Sequence, residues 1–278
     1  MVTLFRVLGN LPLFILHGVG AIAGWITYLA SPRYRRRLRE NLAAAIPGSG
    51  AMLGAAIVEA GKAVLEVPAV WFRPATGVAA MMASVEGWDC VEAARERGKG
   101  IVFLTPHLGC FEITAQYYAL SHPITVLYRP PRKRFLAPLL IAGRERPTLQ
   151  LASADRSGVR LLLKALQRGE AVGMLPDQAP RIGEGAWADF FGRPAYTMTL
   201  AGRLAEATGA QVMLAFAERL PAGRGFRLHL APGPMSGAEE SFEKRMNREL
   251  EKLIRRHPSQ YLWAYDRYKV PRGARQAP

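Results

Sequence analysis

Residues 100–112 read Gly-Ile-Val-Phe-Leu-Thr-Pro-His-Leu-Gly-Cys-Phe-Glu, an apolar run that leads into a histidine and a glutamate. The apolar part, residues 100–106, predicts a buried β-strand. Ligands and catalytic groups of open α/β sheets collect at the carboxyl ends of the strands, so His107 is expected at such an edge. This stretch therefore predicts a core strand of the fold and, directly after it, a candidate site.

Short apolar segments alternate with helical patterns along most of the chain. This alternation predicts the α/β class, with a mixed, mostly parallel central sheet flanked by helices. Arg129 and Asp177 follow predicted strands as His107 does, so all three are expected at carboxyl strand ends. The predicted strands are residues 101–105, 124–128, 148–152, 171–175, 211–217 and 226–231, with a short strand and then a helix over 81–97. The other predicted helices are residues 33–45, 51–72, 110–121, 133–144, 157–168, 197–208 and 240–256.

The composition favours partners that carry negative charge. The chain has 278 residues, half of them hydrophobic, and a net charge of +15. Anionic lipid, a phosphorylated substrate, an acidic carrier protein and nucleic acid are the partners that such an excess suggests. A non-catalytic lipid- or nucleic-acid-binding protein is the alternative from another class. The sequence has no recognition helix, RNA-binding aromatic motif or zinc spacing, so we expect no nucleic-acid partner.

Cysteine and histidine usage predicts a reducing compartment and no metal. Cys90 and Cys110 form neither a CxxC pair nor a disulfide framework. The five histidines lack metal-ligand spacing, and neither a metal nor another cofactor is expected. Cys110 lies in an apolar run without cationic neighbours, which favours a buried structural thiol over a nucleophile.

An uncharged stretch of 24 residues, Val7 to Ala30, precedes the rest of the chain. As one helix it would measure about 36 Å, enough to cross a hydrocarbon core of roughly 30 Å. Five arginines follow within residues 33–39, whereas Arg6 alone precedes, and the positive-inside rule then keeps the bulk of the chain in the cytoplasm. An interfacial or core helix and a cleaved signal peptide are the alternatives, although signal peptides usually carry their basic residues ahead of the apolar run.

These features predict three parts of the chain. Residues 1–31 are a membrane anchor, residues 32–270 a cytoplasmic catalytic domain, and residues 271–278 a disordered tail.

His107 and Glu112 are a candidate general base and the carboxylate that orients it. Five residues apart on one regular helix they would point roughly 140° apart, so they can meet only if His107 lies in the preceding turn. Pro106 and Gly109 favour such a turn. Glu112 is then expected to accept the Nδ1–H of His107, which leaves Nε2 to take a proton from an alcohol. A structural histidine is the alternative that spacing alone leaves open.

Residues 105–112 resemble the HxxxxD/E motif of the glycerolipid acyltransferase superfamily, and the chain resembles its lipid A late acyltransferase branch along nearly its whole length. The segments that match the branch, in its order, are residues 40–42, 128–130, 143–144, 155–156, 166–170, 175–178, 190–197 and 260–269. Two features depart from the pattern. Asp266 stands where a basic residue is common, and the first motif has Glu112 without an asparagine before His107.

The resemblance implies an O-acyltransferase of the bacterial inner membrane, with its catalytic domain on the cytoplasmic side. It implies an acyl carrier protein thioester as donor, a hydroxyl of a lipid A precursor as acceptor, an anionic membrane as partner, and no cofactor. Another lipid acceptor, such as a lysophospholipid, an ornithine lipid or another glycolipid, is the alternative.

The resemblance also implies roles for individual side chains. His107 and Glu112 would be joined in the catalytic set by Arg144 and Asp177, which position the substrate and stabilise charge. In that reading, Asp177 either holds Arg144 or binds a sugar hydroxyl. The candidate substrate-binding cations are Arg129, Arg132 and Arg193.

Overall fold

The computed structural model describes residues 1–131, 133–234 and 239–274. The helices are α1 (Val2–Gly9), α2 (Leu13–Ala30), α3 (Pro32–Ala45), α4 (Leu53–Leu65), α5 (Val67–Phe72), α6 (Ala75–Ala80), α7 (Trp88–Glu96), α8 (Phe111–Tyr118), α9 (Ala137–Arg144), α10 (Arg156–Gln167), α11 (Leu200–Thr208) and α12 (Phe242–Arg256). The strands are β1 (Met82–Glu86), β2 (Ile101–Leu104), β3 (Ile124–Tyr128), β4 (Leu149–Ser153), β5 (Ala171–Met174), β6 (Gly185–Phe190), β7 (Arg193–Met198), β8 (Gln211–Arg219) and β9 (Phe226–Pro232). Short 3₁₀ turns occupy Ser49–Met52, Arg134–Leu136, Pro221–Gly223 and Pro258–Gln260.

Seven strands form the central sheet in the order β1-β9-β8-β2-β5-β3-β4. The strands β8, β2, β5, β3 and β4 run parallel, β9 runs antiparallel to β8, and β1 runs parallel to β9. Every residue of β2 is buried, which explains its unbroken apolar sequence, because a central parallel strand is covered on both faces. The predicted mixed, mostly parallel α/β sheet is confirmed.

Two parts of the predicted element order differ from the structure. The helix predicted over residues 51–72 is divided at Glu66, between α4 and α5, two residues before Pro68. The helix predicted from residue 197 begins at Leu200, because β6 and β7 form an antiparallel hairpin that the sequence reading missed. Phe191 and Gly192 join these two strands with φ of 50° and 69°, the positive angles of a tight hairpin turn.

The single helix predicted over residues 7–30 is wrong as a continuous element. Helix α1 ends at Gly9 and α2 begins at Leu13. The break precedes Pro12, whose ring disfavours helical backbone at the residue before it. Among the described residues, α2 is long and apolar enough to cross a membrane, judged by length and composition only, and a third of it is buried.

Helix α2 packs tightly on α4 through glycines. A Cβ added to Gly61 of α4 would lie 2.0 Å from the Gly20 oxygen, so a side chain there would push the helices apart. The opposite face of α2 is apolar and exposed, with Phe14, Ile22 and Leu29 each more than 60% accessible. The helix thus joins the fold with one face and presents a hydrophobic face outward. The predicted boundary between an anchor and a catalytic domain stays a prediction.

Four ionisable side chains form a largely buried cluster between α2 and the rest of the fold. We call it the α2 cluster, and its members are His17, Glu59, Glu66 and Arg219. Glu66 accepts hydrogen bonds from Arg219 Nε (2.7 Å) and Nη2 (2.6 Å) and lies 3.2 Å from His17 Nε2. Arg219 also donates to Glu59 at 2.6 Å. Burial works to raise the pKa of Glu66, but the charge and hydrogen bonds of Arg219, helped by His17, hold it at about 2. The cluster therefore carries paired charges inside the protein.

Cys110 lies next to this cluster and is buried, as predicted. Burial, followed by the charge of Glu66, raises the pKa of its thiol well above the usual value. A neutral thiol is a poor nucleophile, so the structural role of Cys110 is the one that its surroundings favour.

Candidate active site

His107 lies in a turn three residues past the end of β2. Its carbonyl accepts from Leu262 N, and the Gly109 N–H donates to Gln260 O, both at 3.0 Å. Gly109 has a φ of +57°, and a Cβ there would lie 2.1 Å from the Ala217 oxygen, so this position requires glycine. The turn is therefore fixed between β8 and the segment 258–263.

Asp177 holds His107 at two points. It follows β5, the strand that pairs in parallel with β2, and this brings the two residues together. Asp177 Oδ1 lies 2.8 Å from His107 Nδ1, and its Oδ2 accepts from the His107 backbone N–H at 3.0 Å. Burial works to raise the pKa of Asp177, but the charge and hydrogen bonds of His107 outweigh it and lower the pKa. Asp177 is thus an ionised, buried carboxylate.

Tyr261 is a third member of this group, which we call the edge site: His107, Asp177 and Tyr261. Burial, then the charge of Asp177 and a hydrogen bond to it, raise the pKa of Tyr261 well above its usual value. Its hydroxyl therefore stays protonated and donates to Asp177. Tyr261 lies in the matching segment 260–269, but nothing in the sequence marks it as a site residue, because an aromatic residue there is equally typical of a core position.

Gln178 determines which ring nitrogen of His107 carries the proton and which accepts one. The side-chain amide of Gln178 lies 3.1 Å from His107 Nε2. An amide N–H can only donate, so the hydrogen-bond network assigns the proton of the imidazole to Nδ1 and a lone pair to Nε2. The His107 side chain is 14% exposed, so it is not fully enclosed by the fold.

The predicted hydrogen bond between His107 and Glu112 is wrong. Glu112 accepts instead from both Arg144 Nε (2.9 Å) and Nη2, and from Trp71 Nε1 at 2.9 Å. Glu112 lies in the first turn of α8, and its partners come from α5 and α9, whereas the neighbouring strand β5 supplies the carboxylate for His107. Arg144 is likewise held by Glu112 and not by Asp177.

An apolar channel begins beside the edge site. Phe111 has its ring centroid 4.8 Å from that of His107, and it lines a small apolar cavity together with Glu112 and Arg144. A second small apolar cavity, lined in part by Trp88 and Tyr118, adjoins it. The residues that line both cavities are Thr105, Thr114, Ala115 and Gly173. Together the cavities run between α8 and the sheet.

The remaining predicted cations have different surroundings. Arg129 is exposed after β3, and its charge acts on Tyr265, whose hydroxyl accepts from Ala179 N at 3.1 Å. Arg193 lies on the β6–β7 hairpin, with its guanidinium 3.8 Å from the centre of the Tyr268 ring. Arg132 lies outside the described residues.

Two segments that match the family, residues 40–42 and 260–269, contact each other next to the site. Asn41 donates to the carbonyls of Trp263 (2.7 Å) and Tyr265 (3.0 Å), which ties α3 to the closing segment of the chain. Asp266, the departure noted in the sequence, pairs with Arg37 of α3. This contact gives the unusual aspartate a structural partner.

Sequence comparison with known proteins finds several relatives. The chain is 29% identical over 254 residues to the lipid A biosynthesis palmitoleoyltransferase of Escherichia coli K12, covering 87% of this chain and 82% of that protein. It is 28% identical over 218 residues to the lipid A biosynthesis lauroyltransferase of the same organism, covering 77% and 70%. A lipid A biosynthesis acyltransferase of Haemophilus influenzae is 27% identical over 285 residues, covering 97% and 89%.

The sequence model of a whole family matches nearly the entire chain. The model describes the bacterial lipid A biosynthesis acyltransferases, and the match extends over residues 1–270. The predicted resemblance and the predicted O-acyltransferase class are thereby confirmed. This chain belongs to the bacterial lipid A biosynthesis acyltransferase family.

Proposed function

We propose that this protein transfers a fatty acyl chain from an acyl carrier protein thioester to a hydroxyl of a lipid A precursor, with His107 as general base. One observation carries the proposal: His107 donates to a buried aspartate through Nδ1 and keeps Nε2 as an acceptor beside an apolar channel. That arrangement is the one a general base for an alcohol requires. The family and the names of the relatives support the substrate class.

The reaction needs no nucleophile from the protein. His107 Nε2, on leaving Gln178, takes the hydroxyl proton as the oxygen attacks the thioester carbonyl. The tetrahedral intermediate then expels the thiolate, which takes the proton back from the imidazolium. Asp177 stabilises the imidazolium and fixes the tautomer, while Tyr261 holds Asp177. The Asp177 carboxylate remains ionised throughout.

Arg144 is the one Lys or Arg among the described residues that line the first cavity of the channel. It lines the channel, and Glu112 and Trp71 hold its guanidinium in place. A fixed guanidinium is suited to a phosphate or to a developing oxyanion, because its donors form a rigid fork. Glu112 then serves as a positioning residue for Arg144 and not for His107.

The apolar channel is the proposed site for the acyl chain, and Gly173 lies where its two cavities adjoin. A Cβ at Gly173 would lie 3.5 Å from the side chains of Ile124 and Val126, an ordinary contact, so alanine fits without strain. Gly173→Ala is therefore expected to shift the preferred donor to shorter acyl chains while the melting temperature stays unchanged. If the selectivity over a panel of acyl carrier thioesters stays unchanged, the acyl chain does not bind in this channel.

The location proposed for the protein is the cytoplasmic face of the bacterial inner membrane. The exposed apolar face of α2 supports contact with acyl chains, and Arg33, Arg35 and Arg36 of α3 support contact with anionic headgroups. Flotation with vesicles tests this location. Ile22→Glu on the outer face of α2 is expected to release the protein from anionic vesicles, and Glu40→Gln, an exposed position of α3, serves as the control.

Product analysis tests the reaction itself. The full chain is incubated with an acyl carrier thioester and either a lipid IVA-type precursor or a lysophospholipid, and the lipids are analysed by mass spectrometry. The expected result is one added acyl group on the lipid A precursor, absent in His107→Ala. Acylation of the lysophospholipid alone would replace the proposed acceptor, and transfer at a normal rate by His107→Ala would reject the proposed base.

A further inference from the structure

Three potential metal ligands converge outside the edge site. Glu218 of β8, His229 of β9 and His257 at the end of α12 each offer one ligand atom, and these atoms all lie within 4.8 Å of one another. His229 Nε2 is 2.9 Å from Glu218 Oε2, and His257 Nδ1 is 4.0 Å from Glu218 Oε1. We call these residues the His–Glu group. The outer two residues, Glu218 and His257, are 39 positions apart in the sequence. The three therefore do not form a short ligand motif that the sequence alone would show.

The two imidazoles are held in place by neighbours. Glu86 Oε2 lies 3.0 Å from His229 Nδ1, the nitrogen that faces away from Glu218. A carboxylate on the far nitrogen is the usual companion of a metal-bound histidine, because it fixes the ring and its tautomer. Phe216 stacks on His229 with ring centroids 5.4 Å apart, and its centroid is 4.8 Å from that of His257.

Charge and access are both compatible with a cation. The side chains of the His–Glu group are 20–26% exposed, so an ion can enter from solvent and keep water ligands. Glu218 and Glu86 bring two carboxylates, and Arg227 is the cation that now faces them, at 3.9 Å and 3.5 Å. Arg227 is 42% exposed and can turn toward solvent when an ion takes its place.

We propose that Glu218, His229 and His257 bind one divalent transition-metal ion, with Zn²⁺ as the best match. Two imidazole nitrogens and one carboxylate oxygen form a donor set typical of zinc, whereas Mg²⁺ and Ca²⁺ prefer oxygen alone. Metal–ligand bonds of about 2.0–2.1 Å put neighbouring ligand atoms roughly 3.3 Å apart in a tetrahedral site. His257 therefore moves inward by roughly an ångström on binding, while His229 and Glu218 separate slightly.

An ion at this site would connect the two segments that hold the His107 turn, which are β8 and residues 258–263. Glu218 directly follows Ala217, whose carbonyl accepts from Cys110 N at 2.9 Å. His257 directly precedes the turn Pro258–Gln260, and Gln260 O accepts from Gly109 N. The ion would thus stabilise the platform of the turn without taking part in acyl transfer. Its binding is independent of the proposed function.

Metal titration of the full chain tests the site. Chelator-treated protein is titrated with ZnCl₂ alone in competition with a chromophoric chelator, and its melting temperature is followed. We expect one equivalent to bind and the melting temperature to rise, while MgCl₂ changes neither. His229→Ala and His257→Gln should each bind Zn²⁺ at least tenfold more weakly, and Glu86→Gln about tenfold more weakly.

Two histidine variants serve as matched controls. His122→Ala removes a histidine that also faces a carboxylate, Glu92 at 3.5 Å, but is not part of the His–Glu group. His107→Ala removes the histidine of the edge site. Both should keep the full equivalent of zinc. Binding of less than half an equivalent by the wild type, or equal affinity in wild type, His229→Ala and His257→Gln, would overturn the proposal.

Discussion

The edge site and the α2 cluster contain the same residue types but have different roles. Each pairs an imidazole with a buried carboxylate, His107 with Asp177 and His17 with Glu66. In the α2 cluster the histidine meets the carboxylate through Nε2, and Arg219 and Glu66 are each 1% exposed. In the edge site the histidine uses Nδ1, keeps Nε2 as an acceptor for Gln178, and has a side chain that is 14% exposed. Which ring nitrogen is left free, and whether it is accessible, separates a candidate base from a structural ion pair.

The largest expected effect is on the edge site. His107→Ala should lower the rate of acyl transfer by about 10²- to 10⁴-fold, because general-base catalysis contributes on that order. Its melting temperature should fall less than that of Arg219→Met, because Asp177 keeps hydrogen bonds from the backbone N–H of residue 107 and from Tyr261. Initial rates and thermal melts of the purified variant check both expectations. His122→Ala, a histidine outside the site, should retain normal rates, and a comparable loss there would point to a general effect of histidine removal.

Substitutions in the α2 cluster are expected to lower the free energy of unfolding. Arg219→Met leaves Glu66 buried without its main partner, and breaking such a pair costs about 3–5 kcal/mol. Urea unfolding of the full chain in detergent measures this loss. Arg224→Met is the control, because Arg224 is exposed and its hydrogen bond is local, to the Pro221 carbonyl. Equal unfolding midpoints for the two variants would contradict the stabilising role of the cluster.

Acid should weaken the same cluster over a defined range. The pKa of Glu66 is about 2 in the folded protein, below its ordinary value of 4.5. A carboxyl with a depressed folded pKa contributes stability that is present above its unfolded pKa and is lost as the pH falls toward the folded pKa. Unfolding free energy should therefore drop by up to about 3 kcal/mol between pH 4.5 and pH 2 from this group. Glu66→Gln should flatten that part of the pH dependence, and an unchanged slope would contradict the assignment.

Within the α2 cluster, the smallest loss of stability is expected at His17. His17→Ala removes one hydrogen bond to Glu66, which keeps Arg219, so the loss should be about 1–2 kcal/mol. Thr27→Ala on the exposed side of α2 should change stability by less than about 0.5 kcal/mol. Chemical unfolding of both variants gives the comparison. A larger loss for Thr27→Ala would mean that the outer face of α2, and not the α2 cluster, holds the helix to the fold.

The sequence predicted positions along strands well and partners across strands poorly. The apolar runs of β2 and β5 were predicted almost to the residue, and with them the placement of His107 and Asp177 at strand ends. The partner of His107 could not follow from a five-residue spacing, because it depends on β5 lying beside β2, and the two residues are 70 positions apart. The family resemblance named Asp177 as part of the site, but not its contact with His107.

The N-terminal stretch illustrates the same limit in another way. Its lack of charge predicted a helix in lipid, and α2 does have an apolar outer face. His17, which interrupts that apolar pattern, lies on the inner face with Glu66 as its partner. That partner comes from the end of α4, 49 residues further along the chain. The hairpin β6–β7 was missed because Phe191-Gly192 is not among the common turn pairs.

The central claim is that Asp177, and not Glu112, fixes His107 with its proton on Nδ1. Nitrogen-15 NMR of histidine-labelled protein, with the His107 signal assigned by the His107→Ala variant, measures this tautomer directly. We predict an Nδ1–H imidazole in the wild type and in Glu112→Gln, and a changed tautomer balance in Asp177→Asn. A tautomer that changes in Glu112→Gln and persists in Asp177→Asn would contradict the account.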